Sequence, residues 1–329
     1  MTHRYFLGVD VGGTKSHALI ANELGEAVGF AVAGSGNHEV VGYDGTAQTL
    51  CAVVDEALAG AAIERTAIAG AGFGIGGYDW PSERAETLAA IAAIGLTCPV
   101  EAVNDTIIGL VAGAEQGWGV ALVAGTSNNC RGWDRTHREG RVMGNGIEFG
   151  ENGGAHELVN KAVQEVGKAW TRRGPATRLT ELFIAHVGAQ DDADLLEGLS
   201  QYKYNIQANA APLVFAAAEQ GDAVAERVIH WAAEELASLA IGVIRQLSLE
   251  DAHFDVVLVG SLYNGGPLFT EPLYAAIRAV APGASFVRLS APPVVGAVLI
   301  GMQMAGLETQ PVRARLIESS QQLMERVAA

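Results

Sequence analysis

An acidic residue, two glycines and a threonine come together at the end of the first predicted strand. The segment "GVDVGGTKS" at 8–16 contains Asp10, Gly12, Gly13 and Thr14. The spacing is not that of a Walker phosphate loop, because a threonine precedes the lysine and the next residues predict a hairpin rather than a helix. The glycines would instead let a phosphate approach the backbone, the Thr14 hydroxyl would bind it, and Asp10 would hold Mg²⁺ through water. An ordinary hairpin with glycines in its turn explains this segment equally well.

A second turn of glycine and threonine favours the phosphate interpretation. The segment "VALVAGTSNNCR" at 120–131 repeats the plan of a strand, a turn and a second strand, with Gly125, Thr126 and Ser127 in the turn. Two such turns at the mouths of two α/β halves could bind the phosphates of one nucleotide from both sides. The repeat therefore predicts a nucleotide site in a cleft between the two halves.

Asp105 is the candidate group for proton transfer. It follows the predicted strand "CPVEAVND" and precedes a helix predicted from Thr106. Functional groups of α/β folds lie at the carboxyl ends of strands, and a carboxylate there can orient a hydroxyl group and accept its proton. Aspartate is also a good helix N-cap, and on these residues alone the cap is the favoured interpretation.

The elements that must position these residues alternate between strands and helices. The segments "RYFLGVDVG", "KSHALIANE" and "AVGFAVAGSG" predict an antiparallel meander. Apolar residues at helical spacing predict helices at 43–63, Ser82–Ile94, Thr106–Glu115, Phe269–Val280 and 311–328, with a mostly helical region at 156–250. The order of elements predicts an α/β fold with a partly antiparallel sheet.

Composition limits the classes of function. A chain of 329 residues with 49% hydrophobic residues can fill two domains. The net charge of −16 argues against nucleic acid and anionic membranes as partners. Since no apolar run could span a bilayer and the N-terminus lacks a signal-peptide core, we expect a soluble cytoplasmic protein. Cys51, Cys98 and Cys130 are isolated, which argues against a disulfide framework and a cysteine metal site.

Six motifs follow one another over nearly the whole chain. They are "GVDVGGTKSHALI" at 8–20, "GSGNHEVVG" at 34–42, "VNDTIIGLVAGA" at 103–114, "VALVAGTSNNCR" at 120–131, "FGENGGA" at 149–155 and "LVGSLYNGG" at 258–266. In this order they resemble the N-acetylglucosamine kinase branch of the BadF/BadG/BcrA/BcrD ATPase family. The resemblance implies two ribonuclease H-like (actin-like ATPase) domains around a central cleft. It implies an N-terminal domain at 1–110 and a C-terminal domain at 111–329 with a helical insertion, the last helix being able to pack on the N-terminal domain.

The resemblance also implies a role for each matching residue. Asp105 takes the place of the catalytic base, and Asp10 lies near the Mg²⁺ of bound ATP. The implied ATP-binding residues are Gly12, Gly13, Thr14, Gly125, Thr126, Ser127, Gly260 and Asn264. The implied sugar-side residues are Asn37, His38, Gly76, Gly77, Asp105, Asn128, Asn129, Gly146 and Glu151.

The chain departs from the family at "GENG". Glu151 stands where the family has its sugar-binding aspartate, and Asn152 stands where it has a glutamate. A carboxylate is kept, but it is one methylene longer. The identity of the sugar is therefore open between N-acetylglucosamine, glucosamine, N-acetylmuramic acid and a plain hexose.

The function predicted from these residues is transfer of the γ-phosphoryl group of Mg·ATP to the 6-hydroxyl of an amino sugar, with N-acetylglucosamine as the first choice. The resemblance also implies a homodimer. Two alternatives belong to the same superfamily. An ATPase activator would need cysteines for an iron–sulfur cluster, and three scattered cysteines do not supply the usual pair. A sugar-sensing repressor of the ROK group would add a DNA-binding helix-turn-helix and a cysteine zinc motif, neither of which we expect here.

Overall fold

The fold consists of two five-stranded sheets with helices packed on them. The computed structural model describes residues 4–144 and 146–328. The strands of the first sheet are β1 (Tyr5–Val11), β2 (Ser16–Asn22), β3 (Ala27–Ala33), β4 (Ile68–Ile75) and β5 (Val100–Asn104). The strands of the second sheet are β6 (Gly119–Ala124), β7 (Asn128–Trp133), β8 (Glu139–Arg141), β9 (Phe254–Val259) and β10 (Ala284–Arg288).

The two sheets repeat one topology. The first has the order β3-β2-β1-β4-β5, in which β1, β2 and β3 are antiparallel neighbours while β4 and β5 continue parallel to β1. The second has the order β10-β9-β6-β7-β8, with β6, β7 and β8 antiparallel and β9 and β10 parallel to β6. Each turn of glycine and threonine joins the first two strands of its sheet. The repeated topology confirms the predicted fold class.

The helices include all those predicted, with shifted ends. They are α1 (His38–Ala61), α2 (Arg84–Ala92), α3 (Asp105–Gly113), α4 (Ala155–Trp170), α5 (Leu179–Val187), α6 (Asp192–Ser200), α7 (Ala211–Glu219), α8 (Ala223–Leu247), α9 (Pro267–Val280), α10 (Pro293–Met304) and α11 (Gln310–Ala328). The largest shift is at α1, which starts earlier because the Asn37 side chain accepts a hydrogen bond from Glu39 N at 2.8 Å. Gly42, at φ 69°, interrupts α1 after its first turn. The strand β8 was not predicted, because three residues are too few to show the alternation of apolar and polar residues that indicates a strand.

The helices α3 and α10 pack on each other, and α10 also lies on β1 and β4. A Cβ atom on Gly296 would lie 1.9 Å from Ile108 O, so only glycine lets α10 approach α3 this closely. A Cβ atom on Gly72 would likewise lie 2.2 Å from Ala297 O. Because α3 begins at Asp105, this close packing fixes the backbone of the candidate base.

The C-terminal helix α11 returns to the first sheet. Ser319 Oγ accepts a hydrogen bond from Ala27 N at 3.0 Å and donates one to Gly25 O at 2.9 Å. Leu316 is completely buried in the same contact. The helices α10 and α11 thus pack on the first sheet although they follow the second sheet in the chain. The domain limits at 110 and 111 stay a prediction.

Candidate active site

The turn between β1 and β2 exposes Gly13 and Thr14, while Gly12 is partly buried. Gly12 O accepts a hydrogen bond from Gly36 N at 3.3 Å, which joins the turn to the segment before α1. The Asp10 side chain, on the last part of β1, is 19% exposed. A carboxylate, a hydroxyl group and two glycines therefore lie together at this end of the first sheet.

The turn between β6 and β7 rests on the start of α4. Gly125 O accepts a hydrogen bond from Ala155 N, and Thr126 O accepts one from His156 N, both at 3.0 Å. Within the turn, Gly125 N donates to Ser127 O at 2.9 Å. The side chains of Thr126 and Ser127 are exposed beside the positive end of the α4 dipole, which is a suitable place for a phosphate.

A cavity of about 550 Å³ lies next to this second turn. It is lined by the turn, by α7 and the residues just before it, and by the segment after β9; the lining includes Gly125, Thr126, Ala208, Asn209, Phe215, Glu219, Ser261 and Asn264. The structure therefore brings three of the predicted ATP-binding residues around one cavity. Sequence reasoning missed the wall formed by α7, since this helix carries no motif and only its fold brings it here.

Asn264 lines the far side of this cavity, and Gly260 lies just before the lining segment that contains it. Gly260 has φ 110°, and a Cβ atom on it would lie 2.4 Å from Ala124 O, so glycine is required where β9 meets the second turn. Arg288 donates to Gly260 O at 2.9 Å and to Asn264 Oδ1 at 3.2 Å. These bonds hold the Asn264 side chain against the cavity.

Asp105 is the first residue of α3 and is not its N-cap. The cap is Asn104, whose Oδ1 accepts a hydrogen bond from Thr106 N at 2.9 Å, so the interpretation of Asp105 as the cap is wrong. A Cβ atom on Gly76 would lie 3.3 Å from Asp105 Oδ2 and 3.7 Å from Gly12 Cα. Asp105 is therefore free of the capping role and lies beside the first turn.

The surroundings of Asp105 raise its pKa to about 6. Desolvation by burial is the largest cause, the negative charge of Asp10 adds to it, and the positive charge of Arg131 opposes it. A carboxyl group with this pKa is ionised near neutral pH, yet it is a stronger base than an ordinary aspartate.

Asn37, Gly76 and Gly77 lie near Asp105 in the first half. Gly77 has φ 82°, and a Cβ atom on it would lie 2.5 Å from Asn37 Oδ1, so its lack of a side chain leaves room for the amide. His38 turns aside, because its ring stacks on Tyr43 at a centroid distance of 4.5 Å. The structure thus groups Asn37 and the two glycines with the candidate base and gives His38 a packing contact.

In the second half, Asn128 and Asn129 begin β7. Asn128 Nδ2 donates to Glu151 O at 3.2 Å and to Glu157 Oε2 at 3.3 Å. The buried Asn129 Oδ1 has no hydrogen-bond donor within the part of the chain that the structure describes. Asn128 therefore holds Glu151 and Glu157 in place, while Asn129 Oδ1 could accept a hydrogen bond from a ligand.

The Glu151 carboxylate is bound to its own loop. Oε1 accepts from Met143 N at 2.5 Å and Oε2 accepts from Gly144 N at 2.8 Å, and the residue is only 6% exposed. Gly146 O accepts a hydrogen bond from Glu151 N at 3.0 Å, and Gly146 itself has φ 64°. Glu151 therefore shapes the 143–151 loop with both of its oxygens.

Sequence reasoning missed an ion pair that joins the two halves. Arg131 on β7 is 2% exposed and donates to Asp79 Oδ1 at 2.5 Å and to Glu139 Oε1 at 2.6 Å. Asp79 follows β4, and its Oδ1 also accepts from Asn104 Nδ2 at 3.1 Å. Burial raises the pKa of Asp79, and Arg131 opposes this. A lone arginine in an apolar strand was the available signal, since a buried charge needs a partner.

Three further findings concern metal ions, cysteines and membrane-spanning helices. Among residues 4–144 and 146–328, no three His, Cys, Asp or Glu side chains are grouped to hold a metal ion. The three cysteines are free thiols, and burial raises the pKa of Cys130 well above its usual value. None of the helices in the described ranges combines the length and apolarity needed to cross a bilayer.

Two sheets of one topology, each with a turn of glycine and threonine, and a cavity beside one turn define an actin-like ATPase fold. A model of the BadF/BadG/BcrA/BcrD ATPase family matches residues 7–301, and the chain belongs to this family. This confirms the resemblance found in the sequence.

Relatives with names and structures cover nearly the whole chain. The chain is 23% identical over 315 residues to N-acetyl-D-glucosamine kinase of Dictyostelium discoideum, covering 92% of this chain and 99% of the relative. It is 23% identical over 304 residues to N-acetylmuramic acid/N-acetylglucosamine kinase of Clostridium acetobutylicum, covering 90% and 98%. A structure described as that of an N-acetylglucosamine kinase from Chromobacterium violaceum superimposes with a TM-score of 0.66 at 20% identity, covering 91% of this chain and 99% of that one.

Proposed function

We propose that this chain is an ATP-dependent kinase that transfers the γ-phosphoryl group to the 6-hydroxyl of an amino sugar, with N-acetylglucosamine as the first choice. The observation that carries the proposal is Asp105, a carboxylate with a pKa of about 6 that lies beside the first turn and is not used as a helix cap. A sugar hydroxyl is a weak nucleophile, and a base near neutral pKa can accept its proton as the phosphoryl group is transferred.

The donor would bind across both turns. The adenosine fits the cavity beside Asn264 and α7, and the phosphates fit the turns at Thr14 and Thr126. Mg²⁺ prefers phosphate oxygens and water with one or two carboxylates, so Asp10 suffices on the protein side. The ion would neutralise the triphosphate in a chain whose net charge is −16.

The chain's own residues would prepare the acceptor. Asp105 takes the proton of the 6-hydroxyl, while Asn37 offers both a donor and an acceptor to neighbouring hydroxyls. Gly76 and Gly77 let the Asp105 and Asn37 side chains lie against the end of β4, where the sugar would bind. Closure of the two halves on the sugar would exclude water from the phosphoryl group.

The sugar class draws on the relatives. Both curated relatives have N-acetylglucosamine in their names and one also has N-acetylmuramic acid, so these two sugars are the first to test. A homodimer in the cytoplasm is part of the same proposal and rests on the family resemblance.

The test is an ADP-release assay with Mg·ATP and a panel of N-acetylglucosamine, N-acetylmuramic acid, glucosamine, N-acetylmannosamine and glucose. We expect turnover on an N-acetylated amino sugar, with the phosphate at the 6-position by ³¹P and ¹H NMR of the product. Turnover should fall by about 10²–10⁴ in Asp105→Asn and be kept in Asp251→Asn, which changes an exposed aspartate. A chain that binds ATP but phosphorylates none of these sugars would contradict the proposal.

A further inference from the structure

Two further carboxylates, Glu151 and Asp79, differ in what their oxygens do. The negative charge of Asp79 is close enough to Asp105 to contribute to its raised pKa. Both Glu151 oxygens accept backbone hydrogen bonds, from Met143 N and Gly144 N. A carboxylate has two acceptor directions on each oxygen, and here one direction on each oxygen holds the loop while the residue is only 6% exposed. Glu151 is therefore poorly placed to bind a sugar hydroxyl as well.

Asp79 has one oxygen bound and one open. Oδ1 accepts from Arg131 Nη2 at 2.5 Å and from Asn104 Nδ2 at 3.1 Å. No donor among residues 4–144 and 146–328 forms a hydrogen bond with Oδ2. That oxygen lies 3.9 Å from the position that a Cβ atom on Gly144 would take, so it faces the loop that Glu151 holds.

The support behind Asp79 is rigid. Arg131 is almost completely buried and is bound on its other side to Glu139, so it holds Oδ1 in place. Asn104, the second donor, caps α3 and directly precedes Asp105. The Asn104 side chain therefore links the Asp79 carboxylate to the start of α3, where Asp105 lies. Preorganised acceptors of this kind give specificity for a hydroxyl group.

We infer that Asp79 is the carboxylate that accepts a hydrogen bond from a ring hydroxyl of the acceptor sugar, at its 3- or 4-position, and that Glu151 orders the opposite loop. The inference rests on the proposed sugar kinase function. It departs from the role that the family resemblance implies for Glu151, and it accounts for a longer side chain there, which reaches back to the amides of its own loop.

The test compares kcat/KM for N-acetylglucosamine with kcat/KM for its 3-deoxy and 4-deoxy analogues. Wild type should prefer the parent sugar over one analogue by roughly tenfold or more, because a bond to a charged acceptor is lost. In Asp79→Asn, Arg131 and Asn104 keep the amide oxygen on their side, so an NH₂ donor replaces the open oxygen. The preference should then fall to about twofold or less, with a higher sugar KM and a largely kept kcat.

Three further variants keep the test decisive. Asp79→Glu keeps the charge beside Arg131 but moves the open oxygen, so it should also lose the preference, and it serves if Asp79→Asn does not fold. Asp251→Asn changes an exposed aspartate that has no part in the support of Asp79, and it should keep the wild-type preference. Glu151→Gln should keep the preference ratio whatever its rate.

The inference is overturned if Asp79→Asn and Asp79→Glu discriminate like wild type, or if Glu151→Gln alone loses the preference. These results differ from a failure of the proposed function, in which wild type would phosphorylate none of the sugars.

Discussion

The proposed donor side and the proposed acceptor side of the cleft are built in different ways. The donor side is a cavity shaped by backbone, where Gly260 and Gly265 leave no room for a Cβ atom and a helix forms the opposite wall. The acceptor side is polar and depends on side chains from both halves, above all Arg131 and Asp79. In the proposed mechanism, the shape of the cavity selects the donor, whereas held carboxylates select and activate the acceptor. Changes on one side should therefore leave the other side's binding intact.

The largest expected effect is on the acceptor side. Asp105→Asn removes the base and keeps the shape of the side chain, so kcat should fall by about 10²–10⁴. Sugar affinity measured by calorimetry should change by only about threefold or less, since the variant keeps a hydrogen-bonding amide. The exposed Asp251→Asn variant is the matched control. If Asp105→Asn turns over near the wild-type rate, Asp105 is not the base.

The next effect is on the donor side. A Cβ atom on Gly265 would lie 2.2 Å from the Phe215 ring, so Gly265→Ala should push the ring into the cavity. We expect the KM for ATP to rise by about tenfold with the sugar KM unchanged. The double variant Gly265→Ala/Phe215→Ala returns the space and should recover most of the loss. If Gly265→Ala leaves the KM for ATP unchanged, the nucleotide does not bind in this cavity.

A smaller effect is expected at the exposed turns. Thr126→Ala and Thr14→Ala each remove one hydroxyl group from the phosphates, so the KM for ATP should rise by about three- to tenfold. Thr126→Ser keeps the hydroxyl and should behave like wild type. Calorimetry with the sugar alone should give the same affinity for all four proteins. A loss of sugar binding would show that the two sides are not independent.

The smallest expected effect is on the dependence of stability on pH. Its sign at Asp105 is opposite to its sign at Asp134. Folding raises the pKa of Asp105 from 3.8 to about 6, so its ionisation opposes folding as pH rises through this range. Asp105→Asn should therefore raise Tm above about pH 6 by a few degrees, with no gain below about pH 4.

Asp134 is the control with the reverse sign. Hydrogen bonds from Thr136 and Arg138 lower its pKa to about 2, so its ionised form favours folding above the usual aspartate range. Asp134→Asn should lower Tm near neutral pH, and the difference should shrink as pH falls towards about 2. Equal Tm shifts in both variants would contradict the surroundings described for Asp105.

The sequence alone predicted the two turns of glycine and threonine and most of the helices, because these features depend on residues that are close together in the chain. Both turns were readable because glycine and threonine follow a strand within a few residues, and the repeated topology explains why the pattern occurs twice. The start of α3 was displaced by one residue, because Asn104 and Asp105 are both good caps and only the fold assigns the cap to Asn104. The Arg131 and Asp79 pair could not be predicted, since its members lie 52 residues apart and meet across two sheets. Phe215 was missed for the same reason.

The most direct test of the central claim is the pH dependence of kcat/KM for the sugar, in wild type and Asp105→Asn, at saturating Mg·ATP. If Asp105 is the base, wild-type activity falls on the acid side, with an apparent pKa that the burial of Asp105 raises above the ordinary aspartate value. The residual activity of Asp105→Asn should lack this acid limb, while any limb from ATP itself would appear in both proteins. Identical pH profiles in the two proteins would contradict the assignment of Asp105 as the base.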